Sequence, residues 1–237
     1  METQWIDLAT GSDQGSGKFQ GLLALPPARK GPGIVLFQEI FGVNSHIQGV
    51  ARQYALDGFV VLAPDLFWRS AHRVELGYEG DDRNRGIEMM KQLQQPELEA
   101  DIAATCSALR GRAETEGQSI GAVGYCLGGR LAYFAASMNQ VDAAVSYYGG
   151  GIHDHLARAA SITCPMQFHY AENDGGIPLE AVEKVRKTME GRADVFVYAK
   201  AQHGFNCWDR ASYDPPSAAL AHGRTLQFFA KELFDAH

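Results

Sequence analysis

Short apolar runs and longer amphipathic stretches alternate along almost the whole chain. The runs at 33–37, 59–63, 120–124, 143–147, 166–170 and 195–198 are each four or five residues long and rich in β-branched or aromatic side chains. Such runs read as buried strands of a parallel sheet covered on both faces. Two earlier segments, 5–8 and 19–25, alternate apolar with polar residues and fit an antiparallel edge. Between the runs, helical periodicity predicts helices over 45–57, 83–94, 96–112, 127–138, 178–190 and 216–234. Pro178 and Pro216 stand where a helix can begin, because the first turn does not need the missing N–H. This alternation predicts an α/β fold: a mostly parallel, doubly wound sheet with helices on both faces.

No repeat, low-complexity tract or linker divides the 237 residues, so one domain spanning 1–237 is expected. At 46% hydrophobic and 21% charged residues, the chain has enough apolar material for one large core. The net charge of −7 is spread along the sequence, with no basic stripe of the kind that nucleic acid requires. An anionic substrate would therefore need positive charge supplied locally. No run approaches the length of a membrane span, and the first ten residues lack the basic and apolar regions of a secretory signal. The expectation is a cytoplasmic protein. Its four cysteines, Cys106, Cys126, Cys164 and Cys207, form no C-x-x-C pair and should be free thiols.

In an open α/β sheet, chemistry gathers in the loops beyond the carboxyl ends of the strands. Gly124-Tyr125-Cys126-Leu127-Gly128 sits at such a place, between a predicted strand and a predicted helix. The pattern G-x-C-x-G is the nucleophile elbow of an α/β-hydrolase fold, with cysteine in place of serine. Glycines flank the nucleophile because the turn leaves no room for side chains. Gly129 and Ala132 would let the helix lie close to the sheet. A sulfur at a helix N-terminus is favoured as a thiolate, and the Leu127 N–H is placed to bind an oxyanion. The alternative is a small buried cysteine in a glycine-rich turn. Cys106, Cys164 and Cys207 lack the elbow context and are expected in packing roles.

An acid and a histidine should follow the nucleophile in that order. Asp174 follows the run ending at Tyr170, in Ala171-Glu172-Asn173-Asp174-Gly175-Gly176-Ile177-Pro178, with Glu172 as a rival. His203 follows the last run, in His203-Gly204-Phe205. His153 and His155 have the look of a metal pair but lack further ligands, so they are expected to be solvated, with no metal site.

The chain resembles the dienelactone hydrolase family over nearly its whole length. The resemblance rests on Phe37-Gln38-Glu39-Ile40-Phe41-Gly42, Ala63-Pro64-Asp65-Leu66-Phe67, Gly124 to Gly129, Tyr147-Tyr148-Gly149, Asp174 with Pro178, and His203-Gly204-Phe205. It implies hydrolysis of an enol-lactone such as 4-carboxymethylenebut-2-en-4-olide to maleylacetate, in the bacterial breakdown of chlorinated aromatics. It also implies no cofactor and a small monomer. Glu39 would contact the resting thiol and accept its proton when substrate draws Cys126 towards His203. The Ile40 N–H would be the second oxyanion donor. Of two arginines that hold the substrate carboxylate in the family, one matches Arg85. The other position holds Cys207 here, and Arg210, three residues on, is a candidate replacement. The partner expected is a small, anionic ester or lactone. A broad carboxylesterase or thioesterase, and an inactive binding protein on the same fold, are the alternatives.

Overall fold

The computed structural model describes residues 2–10 and 17–234. The chain is an α/β fold in two compact units, Met1–Ile120 and Gly121–His237.

In the first unit, β1 (Glu2–Ala9) and β2 (Lys18–Leu25) form the expected antiparallel pair, with Trp5 opposite Leu22. β2 also runs antiparallel to β4 (Val60–Pro64), which lies parallel to β3 (Gly33–Phe37). The order is therefore β1-β2-β4-β3. Alternation survives only in β1. From Gly21 to Leu25, β2 is buried without a break, as a strand flanked on both sides must be. β3 and β4 are buried along their whole length. Helix α1 (Ser45–Leu56) is capped by Asn44, whose side chain accepts from the Ile47 N–H at 3.2 Å.

Helix α2 (Gly80–Gln92) begins three residues before the expected start at 83. Its first turn is glycine and aspartate, so no apolar period marks it. Asp81 and Asp82 instead complement the positive end of the helix dipole. Helix α3 (Gln95–Arg110) has Pro96 in its first turn and packs on β3, β4 and β1.

The second unit carries β5 (Ile120–Tyr125), β6 (Ala143–Tyr147), β7 (Met166–Ala171) and β8 (Ala193–Tyr198), all parallel and adjacent in chain order. Helix α4 (Leu127–Ser137) packs on β6, followed by α5 (Leu179–Thr188) and α6 (Pro215–Phe229). Pro178 is the cap of α5 rather than its first helical residue, and α6 starts at Pro215, one residue early, under an Asp214 cap. A π-helical turn, Ala230–Phe234, extends α6. No helix among the described residues is long and apolar enough to cross a membrane.

Candidate active site

Cys126 leaves β5 and caps α4 with φ 56° and ψ −114°, a conformation that a non-glycine residue adopts only under constraint. The constraint is steric and local. A Cβ on Gly124 would lie 2.0 Å from the Gly128 carbonyl oxygen, and one on Gly129 would lie 2.6 Å from the Tyr147 oxygen. The Cys126 N–H donates to the Tyr147 carbonyl at 3.0 Å, which ties the elbow to the end of β6. Cys126 is half-buried, and the Leu127 N–H that opens α4 has no hydrogen-bond partner among the described residues.

His203 follows β8 in a loop that closes on itself. The Ser212 hydroxyl donates to the His203 carbonyl at 2.8 Å, and the Asp214 N–H donates to the Phe205 carbonyl at 3.0 Å. Gly204 has φ +80°, and the Arg210 guanidinium lies against it where a Cβ would be 2.5 Å from Nη1. The residue considered as a replacement for the second family arginine therefore sits directly beside His203.

Imidazole Nδ1 of His203 lies 2.7 Å from Asp174 Oδ2. The other Asp174 oxygen accepts from the N–H groups of Gly176 and Ile177 at 2.8 and 3.1 Å, so the carboxylate is aimed by its own turn. Cys126 stands within electrostatic reach of His203. Burial pulls the His203 pKa down. The charge of Cys126, the hydrogen bond that His203 donates to Asp174, its polar contact with Cys126, and the charge of Asp174 together outweigh it and raise the value from 6.5 to about 10. The structure thus brings Cys126, His203 and Asp174 together. It leaves Glu172 out, exposed and accepting from the Lys200 N–H at 2.8 Å.

Two features of this surrounding were not foreseen. Tyr148 has φ 37° and sets its ring 5.0 Å from that of His203. Beneath it, His169 is wholly buried. Its Nδ1 is paired with the Tyr198 hydroxyl at 2.8 Å and its Nε2 with Gln167 Oε1 at 2.8 Å and Thr225 Oγ1 at 3.1 Å. Burial holds its pKa at about 3, so it is neutral. The His169 carbonyl accepts from the Tyr148 N–H at 2.7 Å, which links this network to the elbow's support. Only Tyr147-Tyr148-Gly149 gave a sequence signal for the region.

The expectation that His153 and His155 are solvated does not hold. Both are half-buried, and the His155 ring packs edge-on against Phe134 at 5.0 Å. All four cysteines are free, as expected. Cys106 and Cys207 are buried, and burial lifts the Cys164 thiol to about 11.

In the first unit, Glu39 and Ile40 follow β3. Glu39 is fully buried. The Gln38 side chain steadies this loop, donating to the Glu39 carbonyl and accepting from the Leu66 N–H, both at 3.3 Å. Asp65 in turn orders the loop after β4 through the N–H groups of Phe67 and Arg73. Helix α2 meets the Ile40 carbonyl at Gly86, where a Cβ would come within 2.4 Å of it. Arg85, the preceding residue, is exposed.

The chain is similar to a protein of Azospirillum brasilense that bears the provisional name carboxymethylenebutenolidase, at 36% identity over 96% of this chain and 98% of that one. The carboxymethylenebutenolidase of Pseudomonas sp. strain P51 is 31% identical over 92% of each chain. Among solved structures, a protein of Klebsiella pneumoniae provisionally named a dienelactone hydrolase superposes with a TM-score of 0.82 at 26% identity, over 98% of this chain and 100% of that one. Residues 19–233 match the model of the dienelactone hydrolase family. The chain belongs to the dienelactone hydrolase family and is a hydrolase of ester or lactone bonds.

Proposed function

We propose that the chain opens an enol-lactone of the carboxymethylenebutenolide type, giving maleylacetate, with Cys126 as the nucleophile. One observation carries this reading: a half-buried thiol in a strained elbow stands within electrostatic reach of an imidazole whose Nδ1 is held 2.7 Å from Asp174 Oδ2. The Cys126 thiolate attacks the acyl carbon, and the Leu127 N–H supports the oxyanion. The Ile40 N–H joins it as second donor by correspondence with the family. The ring C–O bond breaks, the enolate departs, and the His203 imidazolium supplies a proton. Water, deprotonated by His203, then cleaves the thioester and returns the thiol. An enol is a good leaving group, so a soft nucleophile suffices; an amide nitrogen would need protonation as it leaves. By the same correspondence, Glu39 takes the proton of the resting thiol and Arg85 contacts the substrate carboxylate. No cofactor takes part, and the enzyme acts as a cytoplasmic monomer in the catabolism of aromatic hydrocarbons.

A panel of cis- and trans-dienelactone against uncharged aryl esters tests the reading, with Cys126→Ala as the control. The expected result is turnover of a dienelactone well above that of the neutral esters, lost in Cys126→Ala. Equal turnover of charged and neutral substrates would indicate a broad carboxylesterase. Full activity in Cys126→Ala would remove the nucleophile.

A further inference from the structure

Helix α4 buries ten of its eleven residues, and the exception is Arg130. Arg130 stands one turn after Cys126, and its N–H reaches the Cys126 carbonyl at 3.4 Å. The Cys126 charge acts on the Arg130 guanidinium more strongly than that of Asp154. The guanidinium runs along the loop after β6. A Cβ on Gly151 would lie 2.9 Å from Arg130 Nη1, whereas one on Gly150 would meet nothing within 4 Å. Gly151 therefore meets the cation with backbone alone, and a side chain there would collide with it.

Arg158, Arg186, Arg192 and Arg224 of the same unit each donate a hydrogen bond. The Arg130 guanidinium makes no hydrogen bond or ion pair among the described residues. Its charged neighbours are Cys126 and Asp154, and the mostly exposed Asp154 carboxylate lies 3.7 Å from His153 Nε2 instead. A half-buried cation without a bonded counter-ion loses hydration with no return inside the protein. An incoming anion would supply the return.

We propose that Arg130 is a specificity-determining residue of the Cys126 site, holding a carboxylate of the substrate. The planar guanidinium can take a carboxylate through two parallel N–H···O bonds, and its position one turn from the sulfur places that carboxylate a few bonds from the carbonyl under attack. This rests on the reading of Cys126 as the nucleophile. It explains how an acidic chain attracts an anionic ester without a basic surface.

Alkylation of Cys126 by iodoacetate, compared with iodoacetamide, tests the assignment without requiring turnover. The two reagents differ in charge and little in size, and the modified residue is identified by peptide mass. Any effect of Arg130 on thiolate formation changes both rates alike; carboxylate recognition changes their ratio. The iodoacetate-to-iodoacetamide ratio should fall by about tenfold or more in Arg130→Gln, as expected for loss of a charge-assisted bond. Arg130→Lys should keep part of it. In parallel, kcat/KM for the mono-p-nitrophenyl ester of succinic acid should fall by a similar factor relative to p-nitrophenyl butyrate. An unchanged alkylation ratio in folded Arg130→Gln overturns the proposal, as does a wild-type enzyme that reacts no faster with iodoacetate than that variant does. Absence of lactone or ester turnover, with the alkylation ratio still dependent on Arg130, would overturn the hydrolytic reading and leave this one standing.

Discussion

Asp174 gives one carboxylate oxygen to its own turn and the other to His203. Oδ1 accepts from the N–H groups of Gly176 and Ile177, while Oδ2 lies 2.7 Å from His203 Nδ1. The acid therefore cannot rotate away without breaking three hydrogen bonds. It fixes the proton on Nδ1 and leaves Nε2 for the thiol. An amide in its place would present a donor or acceptor without charge and would no longer select that tautomer. Asp174→Asn should reduce kcat by on the order of a hundredfold to ten-thousandfold, with little change in thermal stability. Glu172→Gln should leave kcat nearly unchanged, because that side chain is exposed and occupied by the Lys200 N–H. The reverse order of effects, measured on one activated ester, would move the acid to Glu172.

The raised His203 pKa makes a statement about stability. A base whose folded pKa of about 10 exceeds its ordinary 6.5 holds a proton in the folded state that the unfolded chain has released. The stabilisation is complete below pH 6.5 and is lost as pH rises through 10. Urea denaturation at pH 6 and pH 9.5 should therefore show a larger loss for the wild type than for His203→Gln. Parallel losses would mean that the ion pair is not formed.

His169 works in the opposite sense. Its folded pKa of about 3 lies below the ordinary 6.5, so the unfolded chain binds a proton that the folded chain refuses. Stability should fall as pH drops from 6.5 towards 3. His169→Gln should cost about 1–3 kcal/mol at pH 7, since the Tyr198, Gln167 and Thr225 partners lose a buried neighbour. The same variant should lose less than the wild type on acidification. Equal acid slopes in the two proteins would show that other groups set the acid limit.

Among the cysteines, environment should separate reactivity cleanly. Cys126→Ala should abolish turnover and remove the fast phase of alkylation by iodoacetamide at pH 8. Cys164→Ala should change neither, because burial holds that thiol at about 11 and so in its unreactive form. Cys126→Ser should be poor, as a hydroxyl needs stronger base assistance than a thiol. Fast alkylation that persists in Cys126→Ala would put the reactive thiol elsewhere.

The strand–turn–helix elbow was legible because its requirements are local. Gly124 and Gly129 are required by atoms within a few residues or on the adjoining strand, and the backbone of Cys126 follows. The antiparallel edge, the run at 33–37 and the run at 143–147 were readable for a similar reason: burial imposes a pattern on the strand itself. Arg130 was not readable. In sequence it is one polar residue on a helix, and which face of α4 stays open depends on β6 and the glycine loop that follows it. The start of α2 was missed because Gly80, Asp81 and Asp82 stabilise a helix electrostatically without adding an apolar residue to the period. The burial of His169 was equally hidden, since its partners Tyr198 and Thr225 lie 29 and 56 residues away.

The elbow geometry also predicts where the chain tolerates a methyl group and where it does not. A Cβ at Gly124 would sit 2.0 Å from the Gly128 oxygen and 2.2 Å from its carbonyl carbon, both backbone atoms of the first turn of α4. They cannot move without shifting Cys126 and the Leu127 N–H that the reaction would use. Overpacking a buried site typically costs about 1–3 kcal/mol, and a clash against backbone falls at or above the top of that range. Gly124→Ala should therefore lower stability by about 3 kcal/mol or more and reduce turnover even in the fraction that remains folded. Gly150→Ala is the matched control. Its added methyl meets nothing within 4 Å, and a substitution of that kind is usually within about 0.5 kcal/mol of neutral. Thermal denaturation and active-site titration with iodoacetamide read the two effects separately. A Gly124→Ala protein with wild-type stability and a normally reactive Cys126 would show that the turn is not held by these contacts.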